Sequence, residues 1–329
     1  MNEYKMKYIV TARSINELGK RSNQEDSIFP LSSELPSTGS LFILCDGMGG
    51  HAAGEVASQT VCEVMSDFIE KNSHQGGYFD KNDFDASLNA AYDALDAKDT
   101  EDEKKMGTTL TFVKFHTGGC FIAHIGDSRI YHIRPSEKRI LYVTRDHSLV
   151  NDLIKLGELT PEEAKTSSQK NIITRAMQPN QESRTGADCL DITDIKAGDY
   201  IYMCSDGMLE QTDDEEIVNI LSLDRSDAEK IEILRGATKD NKDNHSAHLI
   251  RIESVSDGSM DTVSNTPIEE SGEEASVGKL DNHRISRIDC ELKNETKVAD
   301  KKTRIGVWAV LVLLLLITGV AFCYFYRYV

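Results

Sequence analysis

Leu41-Phe42-Ile43-Leu44-Cys45-Asp46-Gly47-Met48-Gly49-Gly50 is an apolar run closed by an acid and then by glycines. The run is short enough for a buried strand, and Gly47 lets the chain turn sharply straight after Asp46. The same plan recurs at Tyr200-Ile201-Tyr202-Met203-Cys204-Ser205-Asp206-Gly207. A third carboxylate ends Phe121-Ile122-Ala123-His124-Ile125-Gly126-Asp127-Ser128-Arg129. An acid at the exit of a core strand is held rigidly and points out of one end of the sheet. One strand-Asp-Gly is an ordinary turn. Three converging carboxylates cannot all stay ionised without a cation among them, because like charges raise one another's pKa. Oxygen donors without Cys or His partners imply Mg2+ or Mn2+ rather than zinc.

The chain has 329 residues, 39% of them hydrophobic, enough for one large domain or two ordinary ones. A net charge of −18 argues against nucleic acid as a partner. The cysteines follow no metal-binding spacing, and Cys45 and Cys204 fall inside apolar strands, so a reducing compartment is expected. The N-terminal residues run directly into strand-like sequence without a signal-peptide core.

Residues 1–252 read as the folded domain. Strands are expected over 7–12, 41–45, 109–115, 119–125, 129–133, 140–143, 200–204 and 247–252, and helices over 55–72, 85–97, 148–156, 213–221 and 227–235. Thr160-Pro161-Glu162-Glu163 marks a further helix start, with a capping Thr and Pro at the first position. Strands grouped between blocks of helix favour an α+β layered architecture over a regular βαβ alternation.

Residues 253–304 are polar, acidic and without hydrophobic periodicity, ending in the basic Lys301, Lys302 and Arg304. They read as a disordered tether. Residues 305–326 carry no charge and include Leu311-Val312-Leu313-Leu314-Leu315-Leu316-Ile317. A helix of that length reaches roughly 33 Å, enough for a bilayer core of about 30 Å. Only Arg327, Tyr328 and Val329 follow. Three basic residues before the span against one after it predict a single-pass, C-terminally anchored membrane protein with its large domain in the cytoplasm.

Gly47, Gly49 and Ala52 also fit the loose G-x-G-x-x-A dinucleotide fingerprint. Asp46 would push a carboxylate towards the pyrophosphate, however, and no regular βαβ unit follows. Gly19-Lys20-Arg21-Ser22-Asn23-Gln24-Glu25-Asp26 places an arginine, a bidentate fork for phosphate, shortly before an acidic pair.

Together these pieces resemble the metal-dependent Ser/Thr protein phosphatases of the PPM or PP2C type, especially their bacterial branch. The resemblance rests on Arg21 with Asn23-Gln24-Glu25-Asp26, Asp46-Gly47-Met48-Gly49-Gly50-His51 with Gly54-Glu55, and Met106-Gly107-Thr108-Thr109-Leu110. Ile125-Gly126-Asp127-Ser128-Arg129, Ser205-Asp206-Gly207 and Asp243-Asn244-His245-Ser246 complete it in the same order. It spans roughly residues 5–252. It implies an αββα sandwich, two packed antiparallel sheets flanked by helices, with two core Mn2+ or Mg2+ ions and a weaker third at one end.

By this resemblance Asp46 bridges two metals and Gly47 offers its carbonyl. Asp206 and Asp243 hold one ion, Glu25 supports the other through water, and Asp127 with Asp206 makes the third site. Arg21 grips the substrate phosphate, and residues 149–177 form a variable flap beside the cleft. The implied reaction is hydrolysis of phosphoserine and phosphothreonine in phosphorylated proteins by a metal-activated water, in a monomeric catalytic domain. Two departures stand out. Met48 occupies the position of a histidine proposed as general acid in many eukaryotic members, with His51 a possible substitute. His245 replaces a small apolar residue. Asp240 competes with Asp243 as a ligand, but only Asp243 is followed at the right spacing by a hydroxyl residue, Ser246. A catalytically silent sensor of phosphoproteins with the same fold is the alternative, disfavoured because every ligand position keeps its acid.

Overall fold

The computed structural model describes residues 6–31, 40–49, 53–72, 77–99 and 106–257. In chain order the elements are β1 (Met6–Glu17), β2 (Asp26–Phe29), β3 (Leu41–Met48), α1 (Ala53–Asn72), α2 (Lys81–Lys98), β4 (Gly107–Thr108), β5 (Leu110–His116) and β6 (Gly119–Ile125). Then follow β7 (Arg129–Arg134), β8 (Arg139–Val143), α3 (Leu149–Leu156), α4 (Pro161–Thr166), β9 (Asp188–Ile192), β10 (Tyr200–Cys204), α5 (Asp214–Leu221), α6 (Asp227–Ala237) and β11 (His245–Asp257).

They form two antiparallel sheets. One runs β1-β11-β10-β7-β8 and the other β2-β3-β5-β6-β9, with β4 paired to β3. Because side chains alternate along a strand, β3 sorts its residues between two cores. Phe42 and Leu44 join Val113, Ile122, Met203 and Ile250 between the sheets. Ile43 and Cys45 face outwards, onto Val61 and Met65 of α1 and Phe84 of α2. The other sheet does the same, setting Tyr202 and Leu249 against Ile217 and Leu234 of α5 and α6. Both sheets are therefore apolar on both faces, as the uninterrupted apolar runs of β3 and β10 require, and the layers are αββα.

The helix starts follow local chemistry. Asp80, Thr160, Asp213 and Ser226 each cap a helix and close a capping box with an acid three residues on. The Asp80 cap brings α2 in at Lys81, four residues before the start expected from periodicity.

Three strands escaped sequence reasoning, β2, the two-residue β4 and β9, and one boundary needs correction. The domain does not stop at residue 252, and the tether does not begin at 253. β11 continues to Asp257, pairing Val255 with Tyr8, Ser256 with Lys7 and Asp257 with Met6. Residues 253–257, polar apart from Val255, form strand because β1, longer than expected, supplies them with a partner. The rest of residues 253–304, the span at 305–326 and the tail at 327–329 lie outside the described residues. Among those described, no helix is long and apolar enough to cross a membrane.

Candidate metal centre

The site is built first from backbone contacts. At the end of β3 the Asp46 amide donates to Thr109 Oγ1 at 2.9 Å, and the Asp46 carbonyl accepts from the Thr109 amide and the Thr108 hydroxyl at 2.9 and 3.0 Å. The Gly47 amide donates to the Glu25 carbonyl at 3.1 Å. A Cβ on Gly47 would stand 2.2 Å from the Gly54 carbonyl oxygen and 2.5 Å from that of Glu25. Only glycine permits this approach, which fixes the Glu25 loop and the start of α1 around the exit of β3.

Two more glycines act likewise at the end of β10 and the start of β11. A Cβ on Gly207 would meet the Asn244 carbonyl at 2.0 Å, and one on Gly19 (φ +59°) the Asp243 carbonyl at 2.1 Å. Asn244, buried, donates to the carbonyls of Leu18 and Asn23 at 2.9 and 3.1 Å and accepts from the Glu25 amide at 2.8 Å. One side chain thus ties the Arg21–Glu25 loop to the residue after Asp243.

The carboxylates meet inside this frame. Burial, and then Asp26, Asp206, Asp127 and Asp243, push the Asp46 carboxyl far above the ordinary range. Burial and Asp243 raise Asp206, which shares a hydrogen bond with Asp46. Burial, then Asp206 and Asp146, raise Asp127 to about 7. Arg21 is the cation of the cluster, its Nη2 2.5 Å from Asp243 Oδ2, with Glu25 and Asp46 also in its field. All seven residues expected at the site, Arg21, Glu25, Asp46, Gly47, Asp127, Asp206 and Asp243, are therefore at one end of the sandwich. Asp240 is exposed and takes no place in the cleft lining.

Does this set fit a divalent cation? Asp26 Oδ1 and Asp127 Oδ1 are buried with no hydrogen-bond partner among the described residues. Several carboxyls are raised chiefly because they are buried together, and the donors offered are oxygens. Hard ions such as Mg2+ and Mn2+ suit that chemistry.

Three features were not legible beforehand. Asp26, 4% exposed, accepts from Ser205 Oγ at 2.9 Å across the sandwich, and burial raises it to about 7. His245 proves structural: its Nε2 lies 3.3 Å from Glu17 Oε2, while Glu17 also takes Arg235 at 2.6 Å. It anchors the start of β11 to β1 and α6. Met48 offers no proton, and His51 lies outside the described residues.

The third feature is the cluster of His124, His147 and Asp188. His147 Nδ1 accepts from the Gly126 amide at 3.1 Å, so its proton sits on Nε2, facing Asp188 Oδ2 at 3.1 Å. His124 Nε2 faces the Arg145 carbonyl at 3.0 Å and carries its proton likewise. The rings stack at 4.5 Å and 12°, which sends their lone pairs side by side instead of to one point. Arg175 enters the same space, 3.0 Å from Asp188 Oδ1. This is a hydrogen-bonded brace for the Gly126-Asp127 turn, not a cation site.

Asp127, Asp206 and Asp243 open onto a cleft of about 640 Å³ whose lining includes Val150, Ile154, Lys165 and Lys170 of the 149–177 segment.

The sequence profile of the family Protein phosphatase 2C matches residues 18–242. A putative protein phosphatase 2C-type of Streptococcus pyogenes is 37% identical over 224 residues, 66% of this chain and 88% of that protein. The serine/threonine protein phosphatase PstP of Mycobacterium tuberculosis is 36% identical over 205 residues, 62% of this chain but 37% of that longer protein. The crystal structure of the catalytic domain of PstP in complex with two manganese ions superposes with a TM-score of 0.61 and 31% identity, covering 75% of this chain and 100% of that one. The matched residues run from β2 through β10 to the end of α6 and include Arg21, Glu25, Asp46, Gly47, Asp127 and Asp206, with Asp243 just beyond them. They make up more than half of the chain, and the chain belongs to the protein phosphatase 2C family.

Proposed function

We propose that this protein is a metal-dependent serine/threonine phosphatase acting on phosphorylated proteins. The observation that carries the reading is the convergence of buried Asp127 with half-buried Asp46 and Asp206 beside a cleft that Asp127 and Asp206 line, with an arginine in their field. Asp46 and the Gly47 carbonyl would hold two ions, Asp206 and Asp243 completing one and Glu25 supporting the other through water. Asp127 with Asp206 would hold a weaker third. When bound, Mn2+ or Mg2+ supplies Lewis acidity, offsetting phosphate charge and making water acidic enough to attack near neutral pH.

The chain's own residues do the rest. Thr108 and Thr109 fix the Asp46 backbone through its amide and its carbonyl, so the carboxylate that would hold the ions needs no reorganisation during the reaction. Arg21, half exposed, can turn its fork from Asp243 to the phosphate oxygens and hold the substrate in line. No cysteine or aspartyl phospho-enzyme is needed.

We further propose that residues 305–326 anchor the protein in a membrane with a monomeric catalytic domain in the cytoplasm. The support is the uncharged run itself and the basic residues before it.

Purified protein should hydrolyse p-nitrophenyl phosphate and phosphothreonine peptides with Mn2+ or Mg2+, lose this with EDTA and regain it on adding metal. Full activity in metal-free buffer would overturn the reading.

A further inference from the structure

We infer that the cleft selects phosphoproteins carrying a second anionic group beside the phosphoresidue, an inference that rests on the phosphatase reading above. It follows from which charges of the cleft are already committed. Asp146 is held by Arg129 through bonds of 2.7 and 2.8 Å. Asp127, Asp206 and Asp243 belong to the metal centre, and Glu210 accepts from the Lys242 amide at 2.9 Å. What is left over is cationic: Lys165 on α4, Lys170 in the turn after it, and Lys242 beside Asp243.

All three lysines are exposed, and no ion pair or hydrogen bond among the described residues engages their ammonium groups. Not every lysine is left so. Lys71 and Lys81, on α1 and α2, each hold an aspartate four residues away at 2.8 and 2.7 Å. Uncommitted lysines gathered at one cleft are notable in a chain of net charge −18. With the aspartates offset by ions, the lining carries a positive excess over Glu210, and a cleft concentrates such a field. Its complement is an anion on the peptide next to the phosphoresidue. A carboxylate and a second phosphate share that chemistry.

The test compares the full chain, with Mn2+, on phosphothreonine peptides of one core sequence flanked by Ala, by Asp, by a second phosphothreonine, or by Lys. Anionic flanks should raise kcat/KM roughly three- to tenfold over Ala flanks at low ionic strength, mostly through KM, and the gain should shrink with added salt. A gain with Asp flanks identifies carboxylate as sufficient; a gain confined to the second phosphate identifies phosphate. Joint Lys165→Glu and Lys170→Glu substitution should reverse the order, so that Lys-flanked peptides become preferred. That gain of function also shows the doubly substituted chain to be folded. Equal kcat/KM for every flank, or an order unaltered by charge reversal, would overturn the inference while turnover of p-nitrophenyl phosphate left the phosphatase reading standing. Absence of any p-nitrophenyl phosphate turnover would overturn that reading, and this inference with it.

Discussion

Asp26 stands directly opposite Asp46 across the β2–β3 pair. Asp46 shares its face of β3 with Phe42 and Leu44, which pack between the sheets. Directly opposed like charges destabilise a sheet, and here Asp26 is buried and Asp46 half-buried. The conflict is resolved by the site it serves: ions held by Asp46 would offset both charges, and Ser205 Oγ, 2.9 Å from Asp26, braces the second carboxylate from the other sheet.

Asp26→Asn keeps an acceptor for Ser205 and removes the charge. It should weaken Mn2+ binding about 10- to 100-fold, as loss of a partner behind the ligands usually does. Calorimetric titration with Mn2+ measures this. Unchanged affinity would show that Asp26 serves the fold alone.

Gly47→Ala forces a methyl group to 2.2 Å from a backbone oxygen that no side-chain motion can relieve. The metal-free protein should lose about 1–3 kcal/mol, typical of overpacking, and turnover should fall because the Gly47 carbonyl shifts. Gly236→Ala is the matched control. It lies in α6 with nothing within 4 Å of the point its methyl would occupy, so it should gain about 0.5–1 kcal/mol. Urea melts of both variants decide. Equal effects would show that close approach is not what Gly47 provides.

What could be read in the sequence, and what could not, follows from distance along the chain. Asp46 and Asp206 were legible because each ends an apolar run, a local signal. Asp26 was not: it opens a strand of four residues, too short to show alternation, and its partner Ser205 lies 179 residues away. Asn244 and His245 were equally hidden, since what gives them roles are Leu18, Asn23, Glu25 and Glu17 at the other end of the chain. β9 escaped because it is an edge strand whose residues are largely exposed or half-buried and carry acids at Asp188 and Asp191. The end of β11 was lost for a related reason, because residues 253–257, polar apart from Val255, are strand only where β1 runs alongside.

His248 predicts the acid limb of stability. It is fully buried between the sheets, its Nδ1 2.7 Å from Ser14 Oγ and its ring 5.5 Å from that of Phe42. Burial lowers it from 6.5 to about 4. A depressed folded value means the neutral form stabilises the fold fully above pH 6.5. That contribution, about 3 kcal/mol, is lost as pH falls from 6.5 through 4. Denaturation midpoints measured across this range should drop, and His248→Gln should flatten the drop while lowering stability at pH 7. An unflattened profile would place the titrating group elsewhere.

Finally, the corrected boundary changes where the chain can be cut. Ending it after residue 252 would strip Ser254, Val255, Ser256 and Asp257 from Ile9, Tyr8, Lys7 and Met6, and remove Val255 from its place against the inter-sheet core. That chain should melt lower, by about 2–4 °C for each kcal/mol lost, whereas one ending after Asp257 should keep the pairing of β1 entire. If the segment at 305–326 is an anchor and no part of the catalytic fold, the chain ending after Asp257 should be soluble and monomeric, with turnover per molecule close to that of the full chain. The full chain should sediment with membranes and resist high salt, which releases electrostatically bound proteins but not inserted helices. Protease outside intact cells should leave the catalytic domain uncut. Full-length protein in the soluble fraction, or a domain shaved from outside, would overturn the proposed topology without touching the chemistry at Asp46.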